Sequence, residues 1–329
     1  MEKIKIGLEI HATINVEESP TKLFCNCPIA EAKPNLNICP ICLALPGAKP
    51  MLPNKVALDK VIQIALMLGC KITNTITFQR KHYTWPDLPS GFQKTVSGAH
   101  SEFVGKDGML NDIGIWEVHL EEDPAKWDPK TGNIDYNRSG TALIEIVTAP
   151  ELTSAKEAKS WLRNLIIMLK YIKAISRTSS IKADVNVNIE GHPRVEVKNV
   201  NSFQNICKAI EYEIKRQTEV LKEGTKVQQE TRGYNEERNE TFHMRYKEQA
   251  QDYRFIIDPD LPSIQIEENY IKELEEKLPQ SHIEKIKFYK KKYNFTDEQA
   301  KVLTSELLLA SIFEELVKEI DPKVLVSWL

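Results

Sequence analysis

The chain has 329 residues, of which 41% are hydrophobic and 28% charged, and its formal net charge is −3 at pH 7. This composition is typical of a globular protein with a large core and room for more than one domain. It excludes a broad basic surface, so any contact with nucleic acid must be local or come through a partner. Because the first predicted strand begins next to Met1 and no apolar run is long enough to cross a bilayer, we expect a cytoplasmic protein without membrane contact.

The first predicted strand alternates apolar and polar side chains. In residues 4–11, isoleucine or leucine occupies every second position, and Glu9 and His11 lie among the residues between them. Period-two alternation places these two groups on one face of a sheet whose other face contacts a core. A carboxylate and an imidazole on the same face are candidate ligands for a divalent cation.

A cysteine-rich insertion, residues 21–45, follows the first strand. Cys25 and Cys27 form a CxC pair, and after eleven residues Cys39 and Cys42 form a CxxC pair. Four thiolates on two short turns predict a tetrahedral zinc site, which is structural because the cysteines fill the coordination shell. The alternative is four reduced thiols without a metal, as a reducing compartment would allow.

Beyond a predicted helix over residues 54–68 lies a segment that mixes cations with aromatic rings. Residues 78–93 include Arg80, Lys81 and Tyr83, and their prolines lead us to expect no regular element there. Cations beside rings can hold a nucleotide, the base by stacking and the phosphates by charge. The simpler interpretation is a proline-rich surface loop whose rings pack on a sheet.

Three further predicted strands carry acidic side chains on the polar face that alternation defines. These side chains are Glu121 or Glu122 in residues 115–123, Glu145 in residues 142–148, and Asp184 in a predicted hairpin over residues 181–203. Asp and Asn are depleted in strands, so the row of Asp, Asn, Asn and Glu in the hairpin is unusual for a solvated face. The hairpin alone still favours a solvated face, but together with the first strand these groups predict an acidic platform for Mg²⁺.

The rest of the pattern is mainly helical. Capping signals or a terminal glycine mark three predicted helices, at Ser154-x-x-Glu157, at residues 202–221 before Gly224, and at Thr296-x-x-Gln299. Residues 226–248 are polar and predict a long loop or an irregular strand pair. From residue 267 the composition shifts to helix formers, which predicts a small all-helical domain over residues 267–329 after a larger α+β domain over residues 1–266.

Motifs for other chemistries are absent from the sequence. There is no GxxxxGK[ST] or GxGxxG, so neither a P-loop nor a dinucleotide fold is supported, and no GxSxG offers a serine nucleophile. An acidic sheet face beside a cationic segment instead favours metal-assisted phosphoryl transfer, in which Mg²⁺ bridges phosphate oxygens.

Ten motifs carry a resemblance to a known family. In chain order they are GLEIHATIN, TKLFCNCP, ICPICLALPG, RKHYTWPDLPSGFQ, HLEEDPAK, DYNRSGTALIEIVTAPEL, DVNVNI, VEVKNVNSF, QETRGYNE and MRYKEQAQDYRF. Together they resemble the B subunits of aspartyl/glutamyl-tRNA amidotransferases (GatB) over nearly the whole chain. The resemblance implies a glutamine-synthetase-like catalytic domain on an antiparallel sheet, a cradle-like kinase that uses ATP and Mg²⁺ to phosphorylate the side-chain carboxylate of Asp or Glu misacylated on tRNA.

The resemblance also implies roles for individual residues. The implied Mg²⁺ ligands are Glu9, His11, Glu122, Glu145 and Asp184. Strict alternation puts Glu121, not Glu122, on the face of His119, whereas the motif match favours Glu122; a bulge or the strand's end could reconcile the two. Arg80, Lys81 and Tyr83 are expected at the ATP phosphates and base, and Lys198 and Asn199 on the substrate side.

The implied partners are a GatA-type glutaminase subunit that frees ammonia, a GatC-type subunit that joins the other two, and the misacylated tRNA. Three features depart from the family pattern: Lys94 in GFQKTV, Lys182 where an arginine is usual, and a helical region that is incomplete relative to the family. A lysine at the second position loses the two-pronged phosphate contact of arginine.

Two other functions are compatible with parts of the sequence. One is a zinc-stabilised tRNA-binding scaffold without chemistry of its own. The other is a GatE-type subunit specific for Glu-tRNA(Gln), although NRSG and VKNVNSF resemble the GatB form. Whether Asp-tRNA(Asn) or Glu-tRNA(Gln) is the substrate stays open.

Overall fold

The fold is organised by long strands with alternating side chains. A computed structural model describes residues 3–176, 181–246 and 254–328. Within these ranges the strands are β1 (Ile4–Thr13), β2 (Lys71–Ile72), β3 (Thr75–Ile76), β4 (Gln79–His82), β5 (Phe92–Thr95), β6 (Gly105–Leu110), β7 (Ile113–Glu122), β8 (Lys126–Trp127), β9 (Ile134–Asp135), β10 (Ala142–Thr148), β11 (Lys182–Ile189), β12 (Val195–Asn201), β13 (Glu230–Asn235), β14 (Glu240–Tyr246), β15 (Phe255–Ile257) and β16 (Ile264–Gln265). The helices are α1 (Lys55–Met67), α2 (Ala155–Tyr171), α3 (Phe203–Lys222), α4 (Glu268–Glu276), α5 (His282–Tyr293), α6 (Asp297–Leu303), α7 (Leu307–Leu316) and α8 (Pro322–Trp328).

Ten of the strands follow one another across a large sheet in the order β14-β13-β12-β11-β1-β10-β7-β5-β4-β15, with β6 pairing β7 and β2. The pairs are antiparallel except for β12 with β13, which run parallel. The first strand is central, between β10 and β11. A mixed α/β chain with a large antiparallel-rich sheet agrees with the predicted α+β class.

One face of the sheet is apolar and covered by helices. Alternate residues of β1, such as Ile6, Leu8 and Ile10, are at most 1% exposed and belong to one large core. Helix α1 contacts β6 and β7, α3 contacts β11 and β12, and α2 packs against α3. Burial of each such side chain contributes about 1.5–3 kcal/mol. Because the helices cover this face, the polar residues between the core positions point away from them.

Local capping explains where several helices begin. Asn54 accepts hydrogen bonds from the first turn of α1, and Thr296 and Gln299 form the predicted capping box of α6. Ser154 accepts from the amide of Glu157, but the Glu157 carboxylate accepts from Thr153 and not from Ser154. The reciprocal box predicted for α2 is therefore incomplete.

Two predicted irregular segments contain strands. Within residues 78–93 the structure has β4 and the start of β5, which pair with each other, so the expectation of no regular element is wrong. Pairing of β4 with β15 and of β5 with β7 supplies partners that local propensity does not reveal. Residues 226–248 contain β13 and β14, as the strand-pair alternative predicted. Part of the motif MRYKEQAQDYRF, residues 247–253, lies outside the described residues.

The C-terminal helices contain a second hydrophobic cluster. Leu274 of α4 joins the main core, whereas Tyr289 and Phe313 are centred in a smaller cluster built by α5 to α8. The predicted domain division at residue 267 stays a prediction, because α4 packs with the larger core. In the ranges that the structure describes, no helix combines the length and apolar character needed to cross a bilayer.

Candidate functional site

The strand register gathers the predicted acidic residues on the polar face of the sheet. Glu9 of β1 pairs with Asp184 of β11, and His11 pairs with Glu145 of β10. Glu145 in turn pairs with His119 of β7. Paired residues in antiparallel strands have side chains on the same face, so the register alone brings these groups together.

His11, Glu121 and Glu145 form what we call the histidine cluster. Their candidate ligand atoms all lie within 4.8 Å of one another. Glu145 Oε2 is 3.3 Å from His11 Nε2 and 2.9 Å from His119 Nε2. The carboxylate of Glu145 is therefore shared by two imidazoles.

Charges in the histidine cluster shift one another's pKa values. Burial by itself lowers the pKa of His11, but the hydrogen bond and charge of Glu145 raise it to about 9. Burial by itself raises the pKa of Glu145, because it disfavours the charged carboxylate. The two imidazoles, His119 and His11, outweigh burial and hold the pKa of Glu145 well below its usual range. Burial and the Glu145 charge both raise the pKa of Glu121. Among the described residues, buried Glu121 Oε2 has no hydrogen-bond partner.

Glu9, Asp184 and Glu196 form a second group, the carboxylate cluster, whose oxygens also lie within 4.8 Å of one another. Lys198 Nζ lies 2.5 Å from Asp184 Oδ2 and 3.2 Å from Glu196 Oε1. The Asn199 amide donates to Asp184 Oδ1 at 2.7 Å. Asn199 has a φ of 53°, in the left-handed region that Asn tolerates better than most residues, and this turns its amide toward Asp184.

Burial and charge act in opposite directions in the carboxylate cluster. Burial raises the pKa of Glu9, and the Glu145 and Asp184 charges add to the effect. Burial alone lowers the pKa of Lys198, but the charges of Asp184 and Glu196 raise it above its ordinary value. Asn186 Nδ2 donates to Glu9 Oε1 at 3.2 Å. The cluster is held by its own hydrogen bonds.

The residues present fit a divalent metal at the histidine cluster. Carboxylate oxygens are the ligands that Mg²⁺ prefers, and an imidazole can complete such a set. The buried Glu121 oxygen without a partner supports this fit, because a buried carboxylate oxygen otherwise loses its hydration without compensation.

Glu122 does not join the histidine cluster. Along β7, Glu121 pairs with Leu143 and Glu122 with Ala142, so the two side chains point to opposite faces. The Glu122 carboxylate accepts a hydrogen bond from Lys94 Nζ at 3.1 Å. No bulge interrupts β7 at this point of its pairing with β10, so the preference for Glu122 over Glu121 on this face is corrected.

The cationic segment is divided between the two faces. Arg80 of β4 pairs with Asp258 at 3.0 Å and with Asp260 at 2.9 Å, and stacks on Phe92. Arg80 and Lys81 are consecutive in the strand, so their side chains point to opposite faces of the sheet. Lys81 lies on the face of Glu121, and its charge lowers the pKa of that carboxyl group against the effect of burial. The Arg80 guanidinium therefore contacts these carboxylates on the face away from the clusters, and its contact with a nucleotide stays a prediction.

Tyr83 is the third residue expected at the nucleotide. Its hydroxyl donates to Gln93 Oε1 at 3.3 Å. Gln93 pairs with Lys81 across β5 and β4, so both point to the polar face. Lys81 and Tyr83 therefore stay predictions as nucleotide contacts, on the same side of the sheet as Glu121.

The predicted zinc ligands also converge. Their sulfur atoms all lie within 4.8 Å of one another: Cys25, Cys27, Cys39 and Cys42. Lys22, which is 1% exposed, donates from Nζ to Cys42 Sγ at 3.3 Å and to the Tyr136 carbonyl at 3.0 Å. The hydrogen bond from Cys25, and with it the charge of Lys22, lowers the pKa of Cys42 to about 4 against the effect of burial. Four sulfur atoms this close together, one of them ionised at Cys42, fit a tetrahedral zinc site.

Three residues of the polar face were not among the predicted site residues. His119 contacts Glu145, Glu196 completes the carboxylate cluster, and the Thr231 hydroxyl donates to Glu196 Oε2 at 3.2 Å. Period-two alternation places the first two on the polar side of predicted strands, but it does not reveal the residues that they contact. Thr231 comes from β13, beside β12 in the sheet, and only the parallel pairing reveals it.

Comparisons with known proteins agree with this arrangement. The chain is 47% identical over 329 residues to the B subunit of the aspartyl/glutamyl-tRNA(Asn/Gln) amidotransferase of Methanothermobacter thermautotrophicus, a match covering 99% of this chain and 72% of that protein. It is 48% identical over 327 residues to the protein of the same name from Methanocaldococcus jannaschii, covering 97% of this chain and 67% of that one. Residues 4–272 match the family described as the GatB/GatE catalytic domain. The chain therefore belongs to the GatB/GatE catalytic-domain family.

Proposed function

We propose that this chain is the B subunit of a tRNA-dependent amidotransferase. In this proposal it uses ATP to phosphorylate the side-chain carboxylate of Asp or Glu carried by tRNA(Asn) or tRNA(Gln). Ammonia then displaces phosphate to give the amide. The named relatives support the amidotransferase role, and the α+β fold with an antiparallel-rich sheet is compatible with a glutamine-synthetase-like catalytic domain.

The observation that carries this proposal is the convergence of two acidic clusters on one sheet face. Five strands contribute to it, and its buried carboxylates include Glu121, which is 4% exposed, and Asp184, which is 7% exposed. Buried like charges are costly unless a cation balances them. A solvated face or a simple docking surface does not require such an arrangement.

Chain residues have separable parts in the proposed reaction. His11, Glu121 and Glu145 would hold Mg²⁺, which would neutralise the negative charge of the phosphate groups. His119 hydrogen-bonds Glu145 and orients it. Lys81, on the same face, is proposed to contact the triphosphate, and Tyr83 the base. Lys198 and Asn199 hold Asp184 and are proposed to line the substrate side.

The proposed partners follow from the half-reactions. ATP and the misacylated tRNA are substrates, and a GatA-type glutaminase subunit supplies ammonia. A GatC-type subunit joins the GatA-type subunit to this chain. We propose a cytoplasmic setting, because none of the six cysteines forms a disulfide, which is typical of a reducing compartment. Zinc at the four cysteines is proposed as structural, since no coordination position remains open for chemistry.

An activity assay with two substitutions tests the proposal. In the complex with the A and C subunits, Asp184→Asn and Glu145→Gln should each lower ATP-dependent amide formation at least about a hundredfold. Thermal unfolding of each variant checks that the fold is retained. Unchanged activity in both folded variants contradicts the catalytic proposal and favours the zinc-stabilised tRNA scaffold.

The substrate is tested in the same assay. Amide formation is measured on Asp-tRNA(Asn) and on Glu-tRNA(Gln) separately. Activity on both, or on the aspartyl substrate alone, agrees with a GatB-type subunit. Activity confined to Glu-tRNA(Gln), with an asparaginase-like partner in place of the A subunit, identifies the GatE-type alternative.

A further inference from the structure

Two tryptophans on segments beyond the large sheet form a ring pair that the proposed reaction does not use. The ring centroids of Trp85 and Trp127 lie 5.8 Å apart, and the ring planes are tilted by 55°. Trp85 is 55% exposed and Trp127 is half-buried, so the pair leaves indole surface open to solvent. Tryptophan is on average a well-buried residue, which makes this exposed ring a candidate binding surface.

The segments that carry the two rings are joined by hydrogen bonds. The Ala125 amide donates to the Asp87 carbonyl at 2.9 Å, which joins the segment of Trp85 to the start of β8. The Arg138 guanidinium donates to the carbonyls of Pro124 at 2.9 Å and Ala125 at 3.1 Å. Backbone contacts therefore hold the ring pair in addition to the packing of its side chains.

The cysteine-rich insertion holds the same hairpin through β9. Trp127 of β8 pairs with Ile134 of β9. The Asn35 side chain, in the insertion, donates to the Ile134 carbonyl at 2.9 Å and accepts from the Tyr136 amide at 2.7 Å. These contacts fix the hairpin, so a ligand would meet a preformed surface, which lowers the entropic cost of binding.

The chain path places the ring pair near the histidine cluster. Strand β7 ends one residue after Glu121, and Trp127 follows six residues after Glu121. Six residues span at most about 20 Å, even when fully extended. The Asp123 amide donates to the Thr141 carbonyl, and the Gly140 amide donates to the Asp123 carbonyl. The loop therefore leaves and rejoins the sheet at the end where the histidine cluster lies.

The charges beside the rings favour a nucleic-acid ligand. Lys126 and Lys130, which precede and follow Trp127 in the chain, are exposed. The carboxylate of Asp128, between them, already accepts hydrogen bonds from the Lys130 amide and the Thr131 hydroxyl. Aromatic rings with cations nearby bind single-stranded nucleic acid, the bases by stacking and the backbone by charge. Such a local contact suits a chain whose net charge is −3.

We propose that Trp85 and Trp127 form a stacking platform for a base in the single-stranded 3′ end of the tRNA that carries the amino acid. This inference rests on the proposed function for the identity of the substrate, and it adds where the end of that substrate is held. The platform directs the esterified amino acid toward the histidine cluster. The adenine of ATP has the same stacking chemistry, so the experiment has to separate these two sources.

A double-mutant cycle between the ring and the tRNA end tests the inference. Binding of uncharged tRNA to the complex with the A and C subunits is measured with and without the single-stranded 3′ end. In the wild type, removing the end should weaken binding about tenfold, which the stacking of one base can supply. In Trp85→Ala the same removal should weaken binding less than about threefold. Trp85→Phe should keep the wild-type difference, whereas Trp85→Leu, which is apolar but offers no stacking face, should lose it.

A matched control and a nucleotide measurement accompany the cycle. Trp116→Ala removes a tryptophan of similar exposure, 54%, from the first half of β7 and should leave the effect of end removal unchanged. A non-hydrolysable ATP analogue with Mg²⁺ should bind Trp85→Ala and the wild type with affinities within about twofold of each other. A large loss of analogue binding with an unchanged tRNA cycle assigns the ring to ATP and overturns the inference.

The outcomes distinguish the platform from the proposed function. The same effect of end removal in folded Trp85→Ala as in the wild type overturns the platform. Dissociation of the A and C subunits from the Trp85→Ala complex in size-exclusion chromatography, with an unchanged tRNA cycle, identifies a protein-docking surface and also overturns it. A wild-type complex that binds tRNA but forms no amide contradicts the proposed function alone, because the cycle is measured by binding.

Discussion

At the scale of single residues, Glu121 and Glu122 show how one position along a strand changes a side chain's environment. Glu121 lies with His11 and Glu145 and is 4% exposed. Its neighbour is paired with Lys94 on the other face. Successive side chains in a strand point to opposite faces, so two identical residues acquire different chemistry.

The pair provides a matched test of the metal site. Glu121→Gln should weaken Mn²⁺ binding about tenfold or more, because it removes a charged ligand from the histidine cluster. Glu122→Gln should change the affinity less than about twofold. Isothermal titration of both variants measures the difference. A larger loss in Glu122→Gln would show that the ion binds elsewhere.

At the scale of elements, the cysteine-rich insertion has little regular structure to hold it. Its backbone is fixed by scattered turns, such as Lys22 N to Cys27 O at 3.1 Å and Leu43 N to Cys39 O at 3.1 Å. Lys22 is buried against the sulfur of Cys42. A metal that joins the two turns would contribute folding free energy directly, because a loop with a small core cannot hold this geometry by packing.

Loss of a zinc ligand should therefore destabilise the protein. Cys39→Ser should abolish zinc binding and lower the melting temperature by several degrees, at roughly 2–4 °C per kcal/mol. Cys207→Ser, in α3 and outside the cluster, should retain the zinc. Elemental analysis and thermal unfolding check both results. Equal zinc content in Cys39→Ser and wild type would refute the tetrahedral site.

At the scale of the whole molecule, the C-terminal helices dock on the larger core through α5. His282 begins this helix and is 1% exposed, with its ring against Tyr171 of α2 at 5.8 Å between centroids. Burial lowers the pKa of His282 to about 4. The docked helix therefore holds a neutral imidazole.

This burial makes stability depend on pH. The folded-state pKa is below the unfolded value near 6.5, so the unfolded chain binds more protons between pH 4 and 6.5. The free energy of unfolding should then fall as the pH drops through this window. The contribution of His282 between pH 7.5 and 5.5 is about 1 kcal/mol.

Urea unfolding at the two pH values measures this effect. The phenylalanine variant His282→Phe keeps a ring beside Tyr171 but cannot be protonated. Its free energy of unfolding should therefore fall by about 1 kcal/mol less than that of the wild type on acidification. Equal losses in the variant and the wild type would show that His282 is not buried as a neutral group.

Much of the site follows from alternation in the sequence. Period-two patterns place Glu9, His11, Glu145 and Asp184 on polar strand faces, and the structure brings them onto one face. Alternation also favoured Glu121, which the structure places beside His11 and Glu145. Pairing partners could not be predicted, since β4 and β5 are stabilised by strands distant in sequence. The ion-pair partners of Arg80 are Asp258 and Asp260, about 180 positions away in the chain.

By itself the sequence determined local matters: strand faces, the cysteine spacing, the caps at Asn54 and Thr296, and membership of a family by motif. These depend on residues close together in the chain, where stereochemistry and periodicity act directly. Only the tertiary structure decided which carboxylates lie close together. The separation into a histidine cluster and a carboxylate cluster that contacts Lys198 depends on strand register and one left-handed residue, Asn199. Such distances of a few ångströms are set by packing between distant segments.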